Sequence, residues 1–579
     1  MLDPAMSAAW YRLAEVLWRA GDAAGADAAL VKYCAAAHDD ADLQQLVQLV
    51  AAGRQALAER KLQARLLRAP LDVAAMRVLA QALRGQDRQH EADAQLERAL
   101  ALAPGFSQAR NDLANAFTQR NMAVQAMPHV KLLLAQAPDD HGRRGQLAWC
   151  LSMIGAFDAA LLEYETVLQA APRAERIWMH YGNTLKNVGR RAEGEQAYRK
   201  SLAMAPGLGN AWHGLAHVNA AGLTAADVAA MRAELARPGT AMQDRVYLNF
   251  ALGRALEHAG DYAASFTHYA SGAATWRAAF RYDANETSAR IAAAEALYTP
   301  SFFAARAGVG YDAVAPIFIL GLPRSGSTLI EQILASHGSV EATSELPLII
   351  RLAHELGGIA RPADRAAYLD HVAALEPASF AEIGRQYVER TGAYRNTERP
   401  VFTDKMPANW EYVGFIKLIL PRAKIIDARR HPMASCFSAY KHYFPYGMFY
   451  TYDQRELGRY YRDYLDLMGH FDTVLPGQVH RVMYEDVVAD TEGQTRQLLD
   501  FCELPFEAGC LRFWETRRAV NTASAQQVRQ PIYTEGLELW RRYEPWLGEL
   551  QAALKGETAS KAGAPPLDPA GQGPDPLLK

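Results

Sequence analysis

Residues 317–334 read IFILGLPRSGSTLIEQIL, and this stretch decides the fold of the C-terminal half. The apolar run from Ile317 to Leu320 has the composition of a short strand buried on both faces, and it runs directly into a Gly/Pro/Ser cluster before a helical pattern opens. That is the context a phosphate cradle needs. Gly321 and Gly326 keep the spacing of a nucleotide loop, so the backbone N–H groups of Ser325, Gly326, Ser327 and Thr328 can point at phosphate oxygens, aided by the helix N-terminus. Position 327 is Ser where a kinase or ATPase carries Lys, and no acidic strand end stands ready to hold Mg²⁺. γ-Phosphoryl transfer is therefore disfavoured, and Arg324 supplies the cation from inside the loop. Taken alone, these residues also fit a tight strand-to-helix turn with no ligand.

Working outward, VFTDKMP (401–407), AKIIDARR (423–430) and VHRVMYED (479–486) repeat the rhythm of apolar run then helix. Alternating strands and helices predict a P-loop-like α/β domain with a mostly parallel sheet over 310–552. Upstream the rhythm differs. Pro70, Pro104, Pro138, Pro172 and Pro206 recur at a fixed spacing, each preceded by Ala and each with Leu four residues earlier. Leu at that offset faces a paired helix, and Pro just past a helix end cannot continue it. The period resembles the tetratricopeptide repeat, a fit carried by Trp178, Tyr181, Gly182, Ala197 and Tyr198. The resemblance implies an α-solenoid over 1–300 whose concave groove takes a protein or peptide partner, here the acceptor; a homodimerisation or folding platform is the alternative role.

A chain of 579 residues exceeds a single core, and its net charge of −3 argues against nucleic-acid binding. The five cysteines show no metal-ligand spacing, and neither a leader pattern nor a membrane span is read. A reduced, cytoplasmic chain is expected. The tail over 556–579, rich in Pro, Gly and Ala, is expected to be disordered.

The PRSGST segment after a strand resembles the 5′-phosphosulfate loop of sulfotransferases, above all the tyrosylprotein sulfotransferase-like branch, over roughly 314–550. The whole arrangement is similar to bacterial proteins that join tetratricopeptide repeats to this domain. The resemblance implies a 3′-phosphoadenylylsulfate donor, no metal, and specific roles. Arg430 and Ser438, in RRHPMASCFS, would bind the 3′-phosphate, and Tyr484 would touch the donor. Glu345, in EATSELP, matches the catalytic base, Lys405 the sulfuryl-contacting Lys, and Ser524 a catalytic Ser. Two positions depart from the pattern: Pro347 replaces an Arg, and Leu539 replaces a Lys before Trp540.

In-line sulfuryl transfer needs positioning and charge neutralisation, which Arg324 and Lys405 would supply, and a base for the acceptor proton. The first-choice acceptor is a protein or peptide tyrosine, with a carbohydrate, lipid-linked glycan or small phenol as the alternative. A non-catalytic repeat scaffold with a degenerate nucleotide domain is the reading of another class, and a nucleoside-phosphate kinase a third. Glu331 and Gln332 read as packing or surface residues, while His337 and Glu341 are alternative bases. The Tyr-rich stretch around His442 reads mainly as core, with some rings free to wall an acceptor.

Overall fold

The apolar run IFIL becomes strand β1, Ile317–Gly321, and its side chains divide between two cores. Phe318 and Leu320 enter one hydrophobic cluster, Ile317 and Ile319 another. Both faces are covered, which is why the run shows no polar alternation. The computed structural model describes residues 7–556 apart from 344, 358–366, 446, 517, 519, 521, 523–526, 533 and 535. Ser524 and the tail from 557 onward lie outside the described residues.

Four further strands follow: β2 Val340–Ala342, β3 Val401–Asp404, β4 Lys424–Arg429 and β5 Val479–Met483. They form one sheet in the order β2-β3-β1-β4-β5, and every pairing is parallel. Strand β2 was not legible in the sequence, being a three-residue edge strand. Gly321 pairs with Ala428, and Arg429 with Met483, so the strand ends align along one carboxyl edge. Ligands of open α/β sheets bind outside that edge. The helix Ser327–Ala335 covers one face through Ile330, Ile333 and Leu334. The long helix Gln454–Val474 covers the other through Leu457, Met468 and Phe471.

The chain forms two compact units, Met1–Ala171 and Pro172–Lys579. In the first, paired helices run from Ser7–Arg19 to Phe157–Ala170 around a core of small and aliphatic residues such as Leu62, Leu79 and Leu96. The repeat signature is literal here. Helices end at Arg68, Leu102, Gln136 and Ala170, two residues before Pro70, Pro104, Pro138 and Pro172. In the second unit the pair Glu175–Val188 and Arg191–Met204 packs through Gly182, where a Cβ would stand 3.0 Å from the ring of Tyr198.

Three later helices, Met242–His258, Tyr262–Arg277 and Ala284–Leu297, share a core with the sheet. Phe250, Phe266, Tyr269, Trp276 and Ile291 belong to the same cluster as Phe318 and Leu320. Ion pairs Arg277–Glu456, Arg290–Glu411 and Lys441–Glu257 tie them to the α/β layers. The edge of a compact unit falls at Ala171/Pro172 and not between the expected solenoid over 1–300 and the α/β domain over 310–552. Amphipathic helices need a surface to bury against, and here the sheet's outer layer provides it. Among the described residues no helix is long and apolar enough to cross a membrane. All five cysteines are free thiols, four of them buried.

Candidate active site

Each strand hands one charged or aromatic residue to the carboxyl edge of the sheet: Arg324 after β1, Glu345 after β2, Lys405 after β3, Arg430 after β4 and Tyr484 after β5. The loop after β1 is locally forced. Arg324 has φ +68° and Gly326 φ +97°, left-handed values that turn the chain sharply into the helix. Gly326 caps that helix, leaving the first-turn amides of Ser327 and Thr328 to face outward from the N-terminus. The Ser325 hydroxyl is buried and has no hydrogen-bond partner among the described residues. An orphan hydroxyl in a turn of amides is what an absent anion would satisfy.

A Cβ at Gly326 would lie 2.8 Å from Tyr484 Cδ2, so the loop also needs glycine for close approach. Gly326→Ala is expected to weaken binding of adenosine 3′,5′-bisphosphate about tenfold, since forcing a left-handed residue costs about 1–2 kcal/mol and Tyr484 must move as well. Calorimetry on a variant that still melts cooperatively checks this.

A cleft of about 700 Å³ lies over the loop, lined by Arg324, Arg430, Ser438, Tyr484 and Trp540. That suits a nucleotide. Arg324 donates through Nε to Ser438 Oγ at 3.1 Å and through Nη2 to Gln527 Oε1 at 3.1 Å. Ser438 thus stands beside the loop arginine. Arg430 lies 4.9 Å over the ring of Tyr484 and donates to the carbonyl of Gly536. Trp540, at the wall of the cleft, stacks on His431 with ring centroids 5.3 Å apart, and Arg541 lies 4.9 Å over its ring.

A second cavity of about 1050 Å³ adjoins the first and contains Glu345. Lys405, almost wholly buried, ion-pairs with Glu345, which is 38% exposed. Just before it, Asp404 is buried and accepts from the Tyr387 hydroxyl at 2.8 Å; burial pushes its carboxyl up to about 8. The opposite wall comes from the repeat-like helices: Lys186, Arg191, His213, His217 and Arg254. His442 and Tyr443 meet them, with His213 and His217 ring centroids 4.2 Å apart and His217 and His442 5.5 Å apart. Burial, reinforced by neighbouring cations, lowers His213 to about 3 and Lys186 to about 8.

The structure thus gathers Arg324, Ser325, Gly326, Ser327, Thr328, Glu345, Lys405, Arg430, Ser438 and Tyr484 around one edge of the sheet. It removes the rival bases from that edge. His337 is buried against the Pro505 carbonyl at 3.0 Å, and Glu341 accepts from Arg395 and from the amides of Asn396 and Thr397. Neither lines the two cavities. Glu331 and Gln332 hold Arg518, as packing residues do. In the Tyr-rich stretch, Tyr440, Tyr450, Tyr460 and Tyr461 are core. The repeat-borne wall was missed, because a cation on a repeat helix carries no local signal of what faces it.

Residues 316–508 match the sulfotransferase family and residues 175–207 the tetratricopeptide repeat. An uncharacterised protein of Aquifex aeolicus is 32% identical over 315 residues, 54% of this chain but 41% of that protein. The match thus spans about two fifths of that relative's length. A Caenorhabditis briggsae protein, provisionally named a protein-tyrosine sulfotransferase, is 24% identical over 230 residues, 39% of this chain and 80% of its own. Among solved structures, the sulfotransferase domain of the Synechococcus PCC 7002 olefin synthase is 21% identical, covering 40% of this chain and 88% of its own with a TM-score of 0.30. In this chain a segment that matches the sulfotransferase family thus follows one that matches the tetratricopeptide repeat.

Proposed function

We propose that the protein transfers the sulfuryl group of 3′-phosphoadenylylsulfate to an acceptor hydroxyl, with a protein or peptide tyrosine as first choice. One observation carries the reading: five parallel strands deliver Arg324, Glu345, Lys405, Arg430 and Tyr484 to one edge, over a loop with an orphan buried hydroxyl. The first cleft takes the nucleotide, with the Ser325 hydroxyl, the Gly326–Thr328 amides and Arg324 at the 5′ end; the Ser325 amide itself donates to the Leu322 carbonyl at 3.3 Å. Arg430, Ser438 and Tyr484 provide for the 3′-phosphate and the rest of the donor. The second cavity takes the acceptor.

The acceptor oxygen forms a bond to sulfur as the bond from sulfur to the 5′-phosphate oxygen breaks, and the hydroxyl proton passes to Glu345. Protonation of Glu345 dissolves its ion pair with Lys405, whose charge then serves the sulfuryl oxygens. Ser524, by its resemblance to a catalytic Ser, would add a hydrogen bond. The aromatic and cationic lining of the second cavity supports a phenolic acceptor that also carries negative charge. The name of the Caenorhabditis briggsae relative points the same way. The repeats of Met1–Ala171 would recruit a protein acceptor through their groove, in a reducing cytoplasm.

Arg430→Ala tests the donor assignment. Wild type is expected to bind adenosine 3′,5′-bisphosphate far better than adenosine 5′-phosphate, and the variant to lose most of that preference, about 1.5–3 kcal/mol for a charge-assisted contact. Equal calorimetric affinities of wild type for the two nucleotides would refute a 3′-phosphate site.

A further inference from the structure

We propose that Arg254, carried by the repeat-like helix Met242–His258 and lying outside the sulfotransferase-family segment, is a catalytic residue that neutralises charge on the sulfuryl group in transit. The inference rests on the donor and acceptor assignment of the two cavities. A group leaving a donor in one cavity for an acceptor in the other must pass where the cavities meet. Among the described residues only two arginines line both, Arg324 from the phosphate loop and Arg254 from the repeat-like helices.

The surroundings of Arg254 fit that task. Its Nε donates to the Ala216 carbonyl at 3.0 Å, which fixes the plane of the guanidinium. Glu257, three residues on, is engaged by Lys441 at 2.6 Å and by the Tyr543 hydroxyl at 2.9 Å. Among the described residues no carboxylate ion-pairs with Arg254. His258 also lines both cavities, but it is exposed in the last turn, whereas Arg254 is half-buried one turn deeper. The charge of Arg254 reaches the whole wall, adding to burial in lowering His213, His217 and Lys186. Glu257 still feels the charge of Arg254, but its contacts go to Lys441 and Tyr543. A fixed cation with no ion-paired carboxylate among the described residues, at the crossing point of two cavities, is a site for substrate charge. During transfer that charge lies on the three sulfuryl oxygens and on the departing 5′-phosphate oxygen. Arg324 is oriented by Ser438 and Gln527 on the donor side, and Arg254 brings a second guanidinium from another element.

The test uses the full chain as wild type, Arg254→Ala and Arg254→Lys. Single-turnover hydrolysis of labelled 3′-phosphoadenylylsulfate, with water as acceptor, measures the chemical step without the natural acceptor. Titration of inorganic sulfate into protein saturated with adenosine 3′,5′-bisphosphate measures the sulfuryl position without any catalysis. Arg254→Ala is expected to slow hydrolysis about 10²-fold or more and to weaken sulfate binding about tenfold or more, with Arg254→Lys recovering part of both. Bisphosphate affinity and melting temperature are expected to stay near wild type. Wild-type hydrolysis or sulfate affinity in Arg254→Ala overturns the inference, as do losses that track bisphosphate affinity or melting, which would mark a structural role. A wild-type protein that does not bind the bisphosphate overturns the donor assignment itself.

Discussion

Replacing Glu345 by glutamine is expected to lower turnover about 10²–10⁴-fold while affinity for adenosine 3′,5′-bisphosphate stays nearly unchanged. The carboxylate comes off the end of β2, and among the described residues lining the second cavity, the one proposed to take the acceptor, it is the only one. The base for a hydroxyl proton must stand within hydrogen-bond reach of the acceptor, so a cavity with a single carboxylate leaves little choice. Glu345 is partly open to the cavity, whereas Lys405 behind it is almost wholly buried. That order suits a proton acceptor in front and a cation behind.

The same pairing complicates the experiment and supplies its control. Removing the charge of Glu345 leaves a buried ammonium without its counter-charge, and breaking a buried pair costs about 3–5 kcal/mol in unfavourable cases. Glutamine keeps an oxygen that can accept from Lys405; alanine does not. Glu345→Ala is therefore expected to melt lower than Glu345→Gln, while both lose turnover to a similar degree. Wild-type turnover in Glu345→Gln would mean that the proton goes elsewhere. His337 and Glu341 are then poor substitutes, since both are committed to backbone contacts away from the cavities. The remaining candidates would be His213, His217, His258 and His442, which line the acceptor cavity.

The loop at 321–328 was legible because its constraints are local: a run apolar on both faces, a turn that needs glycine, and a helix start are all written in consecutive residues. The fixed Pro spacing is legible for the same reason, since each Pro marks its own helix end. Glu345, Lys405, Arg430 and Tyr484 were placed by resemblance, and the parallel register then brings their strand ends to one edge. The acceptor wall could not be read in this way. Lys186, His213 and Arg254 look like any polar positions on repeat helices, and their role depends on which surface those helices bury against. That surface is the α/β layer more than a hundred residues later in the chain, and no periodicity of the repeats encodes it.

A fragment beginning at Pro172 is expected to fold, bind nucleotide and turn over a small phenolic acceptor, whereas one beginning at Pro300 is expected not to fold. The reason is the shared core. Val246, Phe250, Phe266, Tyr269, Trp276 and Tyr298 are buried in the cluster that also holds Phe318 and Phe415. At about 1.5–3 kcal/mol for each large apolar side chain, their loss removes roughly 9–18 kcal/mol, as much as the whole stability of a typical domain. The cut at Pro300 also strips Glu411, Glu456 and Lys441 of their partners and removes Arg254 from the walls of both cavities. The cut at Pro172 falls between compact units and leaves all of these in place. Thermal melting and calorimetry with adenosine 3′,5′-bisphosphate distinguish the fragments, and a folded, nucleotide-binding fragment from Pro300 would refute the shared core. The Pro172 fragment then isolates the role of the first unit. If Met1–Ala171 recruits a macromolecular acceptor, its removal lowers sulfation of that acceptor while sparing the small phenol, because recruitment acts through effective concentration and not through the chemical step. An unchanged ratio between the two acceptors would leave the first five helix pairs with no part in choosing the substrate, and selection would rest on the wall formed by Lys186, Arg191, His213 and His217.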